Sequence, residues 1–294
     1  MQNEDLETHR ATAIEADKIY SKSRLRDEFR LKPKPEAEPV KIVKNGYGGR
    51  SPLYRVADCI PIREVTQKEP TPKQLRARTI QAIKSKLRGR LARAGAEAMA
   101  WLGTDLRVCD CETTGLGPTA QIVEVAVADQ FRNVLFHTTI KPTVPIDPGA
   151  INIHGYTEAM LADSPTWPDV IDQFKQVVTG RMVVIFNADY DSRIVRQTCN
   201  AFNLSTEWWD EIDTRCAMYL AADAFGATNR YGTISLDTAT MEAGVKWAGD
   251  AHSAIADTLA TVDLVNVIGN SYSELCRQLE ELKVAEYTNE DTIK

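Results

Sequence analysis

Apolar residues change their spacing near residue 105. Before it they are sparse: Leu6, Ile14, Ile19 and Tyr20 punctuate a charged stretch, 1–30, at roughly helical intervals. Lys32-Pro33-Lys34-Pro35-Glu36-Ala37-Glu38-Pro39 alternates proline with charge and reads as a stiff, linker-like run. Val40 to Val43 and Leu53 to Ala57 read as strands around a turn at Gly46-Tyr47-Gly48-Gly49. This small β-like region matches no fold from pattern alone. Pro70-Thr71-Pro72 opens the next element, and Lys73 to Trp101, free of proline, reads as one helix or two.

Beyond 105 the pattern alternates between strand and helix. Leu106–Asp110, Gln121–Ala128 and Asn133–Ile140 have strand character, with Ile122, Val123, Val125 and Val127 the strongest β-formers. Gly115, Gly117 and Pro118 supply the first turn. An amphipathic helix is expected over Trp167–Val178, opened by Ser164-Pro165. Met182 to Phe186 is wholly apolar, as a strand buried on both faces should be. Helical patterns follow over 189–203, 215–226, Ser235–Ala243, His252–Ile268 and Ser271–Val284. Three strands, then helices around a central apolar strand, predict an α/β domain with a mixed sheet. The expected organisation is a basic α+β extension of unassigned fold over 1–104, the α/β domain over 105–270, and a C-terminal helix and tail over 271–294.

Composition adds limits. With 43% hydrophobic and 26% charged residues over 294 positions, a sizeable core is available and global disorder is excluded. No apolar run approaches the ~20 residues of a membrane helix. The N-terminus is polar and acidic without an apolar core segment, so the expected location is cytoplasmic, with no membrane partner. The net charge of −6 conceals an asymmetry: residues 1–100 carry 22 Lys/Arg against 13 Asp/Glu, and 101–294 carry 13 against 28. Eight cations, Lys73, Arg76, Arg78, Lys84, Lys86, Arg88, Arg90 and Arg93, stand between Pro70 and Ala96 without an intervening acid. They read either as an arm facing nucleic-acid phosphates or as a solvated face or strut docked on the acidic domain. No aromatic residue interleaves them, which argues against base stacking there. The six cysteines, at 59, 109, 111, 199, 216 and 276, contain no C-x-x-C pair and read as reduced thiols rather than a zinc site or disulfide framework.

Three segments carry chemistry. In Asp110-Cys111-Glu112-Thr113-Thr114-Gly115-Leu116, at a strand end, the two-residue period sends Asp110 and Glu112 to one face. Cys109 and Cys111 then point into the opposite, buried face rather than towards a metal. Two adjacent carboxylates repel, and a divalent cation with oxygen ligands, Mg²⁺ or Mn²⁺, resolves the conflict. In Phe186-Asn187-Ala188-Asp189-Tyr190-Asp191, Asn187 suits a helix cap and Asp191 falls in the first turn, with Asp189 as the competing acid. In His252-Ser253-Ala254-Ile255-Ala256-Asp257, five helical steps rotate by roughly 500°, leaving about 140° between the two side chains. His252 is therefore expected in the loop before the helix, after Gly249-Asp250-Ala251, and Asp257 on the helix.

Taken in order, these segments resemble the Exo I, Exo II and Exo III motifs of the DEDDh exonucleases, the DnaQ-like family that includes the proofreading subunit of bacterial replicases. The resemblance covers about 105–270. Ile151-Asn152-Ile153-His154-Gly155-Tyr156-Thr157 and Ile212-Asp213-Thr214 resemble further family elements. Phe186 stands where the family often has His, and Tyr190 where Phe is commoner. The resemblance implies a ribonuclease H-like fold and two divalent cations, Mg²⁺ or Mn²⁺, held by Asp110, Glu112, Asp191 and Asp257, with His252 as general base. It implies that Thr113 and Thr114 meet the terminal sugar, Leu116 wedges against the last base and Asn187 shapes the pocket. The implied activity is 3′→5′ exonucleolytic release of nucleoside 5′-monophosphates, from DNA in preference to RNA and from single-stranded ends. An RNA exonuclease of the same superfamily, or a nucleic-acid-binding or polymerase-associated module with a vestigial site, are the alternatives. A polymerase or a second copy of the chain would bind through the N-terminal region. His154 is read as packing or capping beside the pocket, Trp208 and Trp209 as one core and one outward ring, and His137 as unrelated to the site.

Overall fold

The structure, a computed structural model, describes residues 3–44, 49–62, 69–247 and 252–290. The expected turn at 46–48 and loop at 249–251 lie outside the described residues. The chain forms two compact units, Met1–Pro70 and Thr71–Lys294.

The first unit runs α1 (Asn3–Glu15), β1 (Ile19–Ser21), α2 (Lys22–Phe29), β2 (Leu31–Pro33), β3 (Lys41–Lys44), β4 (Arg50–Arg55) and β5 (Cys59–Pro61). The Ser21 side chain accepts from the Arg24 amide and caps α2. Helix α2 turns Leu25 and Phe29 onto Leu31, Tyr54 and Val56, which form a small core. The strand beside that core takes Lys32 and Pro33 out of the expected linker run of 32–39, whose remainder has no regular secondary structure. Leu31 is buried, and its strand pairs antiparallel with β5 from Leu31↔Pro61 to Pro33↔Cys59. Burial of one leucine decides the start of a segment that its prolines alone would leave extended and solvated.

The second unit opens with two helices, α3 (Pro72–Lys86) and α4 (Arg90–Leu102), separated at Gly89. A capping box of Thr71 and Gln74 starts α3. Then follow β6 (Arg107–Thr113), β7 (Ile122–Asp129), β8 (Val134–Thr139), α5 (Pro148–His154), α6 (Trp167–Val178), β9 (Met182–Ile185), α7 (Ala188–Ala201), α8 (Glu207–Asp210), β10 (Asp213–Cys216), α9 (Ala217–Phe225), α10 (Leu236–Ala243) and α11 (Ala254–Glu290). The five strands lie in the order β10-β9-β6-β7-β8. β7 is antiparallel to β6 and β8, and β9 and β10 are parallel to their neighbours, the mixed sheet of a ribonuclease H-like fold. One face packs on α6 and α7 through Trp167, Phe174, Ile194 and Val195. The other packs on α4, α9, α10 and α11 through Ala98, Leu220, Ala239 and Val265.

Three elements differ from the sequence expectations. α4 is part of a helical layer on the sheet, so the boundary between compact units falls at 70/71, whereas a break was expected at 104. β10 is a strand although Asp213, Thr214 and Arg215 carry no apolar pattern; it is an edge strand, recruited by parallel pairing with β9. α11 continues unbroken through Gly269 instead of restarting at 271. Gly269 marks a close helix crossing: a Cβ there would lie 2.8 Å from Leu102 Cδ1, and one at Gly95 of α4 would lie 2.8 Å from the Ile268 carbonyl of α11. Among the described residues, no helix is long and apolar enough to cross a membrane.

Candidate active site

The alternation of β6 sorts its side chains. Cys109 and Cys111 enter the core on the α6–α7 face, and Val108 enters the α4–α11 face, to which Asp110 and Glu112 also belong. α11 begins at Ala254, so His252 precedes the helix and Asp257 lies in its first turn. Asp110, Glu112 and Asp257 each bring a carboxylate oxygen within 4.8 Å of the others. Asp191 lies outside that cluster but lines the same cleft, of about 460 Å³, together with Asp110, Glu112, Asn187, His252 and Asp257. In the first turn of α7, Asp191 is buried and Asp189 exposed, which separates the two competitors. Asn187 occupies the N-cap position, but its side chain makes no capping bond and stands exposed in the cleft.

Burial and mutual repulsion dominate the electrostatics. Burial, then the charges of Asp191, Asp257 and Glu112, push Asp110 well above the usual carboxylate range. Glu112 is pushed up to about 8 by burial and by Asp257, Glu124 and Asp191. Burial raises Asp191 to about 7 against the pull of nearby backbone amides. Asp257 is raised by burial and partly relieved by the His252 N–H, which donates to its Oδ1 at 3.2 Å. His252 itself is exposed, with φ +66°, a left-handed conformation uncommon for a non-glycine residue.

A second, largely apolar cavity of about 330 Å³ adjoins Glu112, bounded by Gly115, Leu116, Asp147, Ile153, His154 and Tyr190. Leu116 is 79% exposed at its mouth. Thr113 and Thr114 are buried and already engaged. Thr113 Oγ1 shares a 2.7 Å hydrogen bond with the Tyr190 hydroxyl, and Thr114 Oγ1 accepts from the Gln121 amide at 3.0 Å. His154 Nδ1 accepts from the Tyr156 amide, so its Nε2 donates to the Thr113 carbonyl at 3.1 Å and pins the end of β6. Gly115, at φ +150°, lies where a Cβ would come within 3.2 Å of Asp147 Cβ.

Sequence reasoning missed Glu124. It sits opposite Glu112 in the β6–β7 register and is 1% exposed. Its Oε2 accepts from the Ala254 amide at 2.8 Å, at the first residue of α11, and its Oε1 pairs with His137 Nε2 at 2.7 Å. His137 is therefore tied to the site through Glu124, contrary to its reading as unrelated. The available signal was one acid inside the otherwise apolar run Ile122 to Ala128. Glu124→Ala should lower stability by about 1–3 kcal/mol, because it leaves a buried N–H without a partner. Glu124→Gln relieves the same repulsion with Glu112 yet keeps an acceptor, so it should cost less; paired urea melts measure the difference.

The remaining candidates lie elsewhere. Trp209 is buried and Trp208 half-buried, both against Phe174 on the α6–α7 face. Of the eight cations, Arg76 donates to the Leu282 carbonyl and Arg90 to the carbonyls of Asp223 and Ala222, so these two brace helices. Lys73, Arg78, Lys84, Lys86, Arg88 and Arg93 are exposed. All six cysteines are unbridged.

The chain is similar to several known proteins. Exonuclease CP81 of Escherichia phage 186, itself termed uncharacterized, is 35% identical over 177 residues, covering 58% of this chain and 91% of that protein. The DNA polymerase III epsilon subunit of Pasteurella multocida is 34% identical over 108 residues, 33% of this chain and 43% of that subunit. The solved structure of exonuclease X in complex with 5′-overhanging duplex DNA is 27% identical with a TM-score of 0.44, covering 56% of this chain and 92% of that one. The exonuclease model of the RNase T family matches residues 108–265, more than half of the chain, from within β6 into the first third of α11, and the protein therefore belongs to this DnaQ-like exonuclease family.

Proposed function

We propose that the chain is a metal-dependent 3′→5′ exonuclease that releases nucleoside 5′-monophosphates from DNA, with single-stranded ends preferred. The observation that carries this reading is the gathering of Asp110, Glu112 and Asp257 oxygens within 4.8 Å, with Asp191 and His252 in the same cleft. The donor set fits divalent cations on two counts. Four partly or fully buried acids have no cationic side chain among the residues lining the cleft. Asp191 Oδ1 is buried with no hydrogen-bond partner, an acceptor left available for a ligand. Asp110, Glu112, Asp191 and Asp257 would hold two ions, Mg²⁺ or Mn²⁺. Such ions would supply Lewis-acid stabilisation of charge on the phosphodiester oxygens and favour ionisation of the attacking water.

The chain's own residues do the rest. His252, exposed at the cleft with its backbone N–H bonded to Asp257, accepts the proton of the attacking water. The apolar cavity receives the terminal nucleoside, with Leu116 against its base and the braced Thr113–Thr114 turn beside its sugar. Asn187 helps shape the carboxylate cleft that it lines.

The exposed cations of α3 and α4 contact the phosphates of the remaining substrate length. Neutralising Lys73, Lys84 and Lys86 together should reduce the slope of log affinity against log salt by about 2, at roughly 0.7 per single-strand phosphate. An unchanged slope returns these helices to a purely structural role.

The test of the function is degradation of end-labelled DNA and RNA, single- and double-stranded, with Mg²⁺, Mn²⁺ or chelator. The expected result is stepwise shortening of DNA from its 3′ end, stopped by chelator. Cleavage from the 5′ end, or undiminished by chelator, overturns the reading; faster loss of RNA transfers it to the RNA exonuclease.

A further inference from the structure

Between α9 and α10 the chain forms a braced loop on the rim of the cleft. The Asn229 side chain holds it: Oδ1 accepts from the amides of Tyr231 (2.9 Å) and Thr233 (3.2 Å), and Nδ2 donates to Thr233 Oγ1 (2.8 Å). The Thr228 amide closes the loop on the Thr233 carbonyl at 2.9 Å. Asn229, Thr233, Ile234 and Ser235 line the cleft beside Asp110, Glu112 and His252. The loop base is thus cleft wall, and its tip presents Arg230 and Tyr231. The Arg230 guanidinium lies 4.8 Å from the Tyr231 ring centroid, and its Nη2 donates to the Tyr231 hydroxyl at 2.6 Å. Tyr231 is 73% exposed. The other comparably exposed aromatic among the described residues, Phe131, stands in the β7–β8 turn and lines neither cavity.

Charge makes the position informative. Neither the cleft nor the adjoining apolar cavity has Lys or Arg among its lining residues, while the cleft carries four carboxylates. A polyanionic strand leaving such a cleft meets repulsion unless a cation stands at its exit. Arg230 is a cation on the loop that forms that wall, and among the described residues it makes no salt bridge; its guanidinium contact there is with Tyr231. An exposed ring beside a guanidinium is also the combination that holds single strands without regard to sequence, because every base offers a π-face and every linkage a phosphate.

We propose that Arg230 and Tyr231 form a subsite for the single-stranded nucleic acid upstream of the cleaved bond, Tyr231 stacking on a base and Arg230 meeting a backbone phosphate. The subsite deepens the nuclease reading and rests on it for the direction in which the strand runs. It sets length preference: a substrate too short to reach the loop gains nothing from it.

The experiment is fluorescence anisotropy of the full chain with a labelled DNA dodecamer and a labelled dinucleotide, in Ca²⁺ to separate binding from turnover. The wild-type protein should bind the dodecamer more tightly. Tyr231→Ala should lower the dodecamer-to-dinucleotide affinity ratio about tenfold, equivalent to 1.4 kcal/mol, and Tyr231→Trp should restore it. Arg230→Ala should lower the ratio several-fold and reduce the salt slope for the dodecamer by about 0.7. Circular dichroism confirms that each variant is folded. A ratio unchanged in both alanine variants overturns the subsite, as does an equal loss of affinity for both ligands. The outcome for the wider reading is separate: a wild-type protein that binds the dodecamer with these dependences but never shortens it in Mg²⁺ keeps the subsite and loses the nuclease assignment.

Discussion

Asp110→Asn should abolish mononucleotide release and at the same time raise the melting temperature of the metal-free protein near pH 8. The activity loss follows from the electrostatics at phosphorus. On the proposed metal-dependent reading, removing one of the four carboxylate charges forfeits several kcal/mol of transition-state stabilisation, or about 10³-fold in rate. The stability gain follows from the shifts in the cleft. Asp110 lies well above its unfolded value, Glu112 at about 8 and Asp191 at about 7, against references near 3.9 for Asp and 4.3 for Glu. A carboxyl raised on folding contributes most stability below its unfolded pKa and loses that contribution as pH rises towards its folded one. The metal-free fold therefore weakens between about pH 4 and pH 8, where these acids are driven to ionise together. Asparagine has no proton to lose at that position and relieves its neighbours. Melts in chelator at pH 5.5 and pH 8 measure this, at about 2–4 °C per kcal/mol for a domain of this size. Wild-type protein should lose several degrees between the two, the variant fewer. Divalent cation should restore the wild type more than the variant, with an affinity that climbs with pH because binding displaces protons. A variant that melts below the wild type at pH 8 in chelator would refute the picture of mutually repelling acids.

His252→Ala should reduce kcat by about 10² to 10⁴, the usual contribution of a positioned general base, while leaving cation binding intact. The separation is built into the loop. His252 contacts Asp257 through its backbone N–H, not its ring, so removing the imidazole keeps the bond that holds the carboxylate. His252→Gly is the sharper variant. The backbone at φ +66° suits glycine better than any side-chain-bearing residue, so the loop should hold its conformation and lose only the proton acceptor. Mn²⁺ binding followed by electron paramagnetic resonance, alongside turnover, distinguishes the roles. Both variants should bind Mn²⁺ as the wild type does and turn over slowly. Turnover within tenfold of wild type in either would remove the imidazole from the mechanism.

Much of the site is legible from the chain because its decisive features are local. The two-residue strand period places Asp110 and Glu112 on one face and Cys109 and Cys111 on the other. The apolar run at 182–186 marks a strand buried on both faces, and the helix after it carries Asp191 in its first turn. The angular step of a helix is enough to move His252 off the element that holds Asp257. Each inference needs only side chains within a few residues of one another, whose geometry the backbone period dictates.

What lay beyond reach depends on partners distant in sequence. Glu124 is an acid in an apolar strand until α11 delivers the Ala254 amide, 130 positions later, and β8 delivers His137. Leu31 and Cys59 belong to opposite ends of a paired ribbon that proline content conceals. β10 has no apolar alternation and exists because β9 offers it an edge. Arg76 and Arg90 resemble their six basic neighbours in sequence and differ only in the carbonyls that packing brings to them. The chain by itself determined which residues share a face and which interrupt a helix. Only the tertiary structure decided which faces meet, because strand pairing and helix packing set the distance between carboxylates 110, 191 and 257, and no local period encodes that distance.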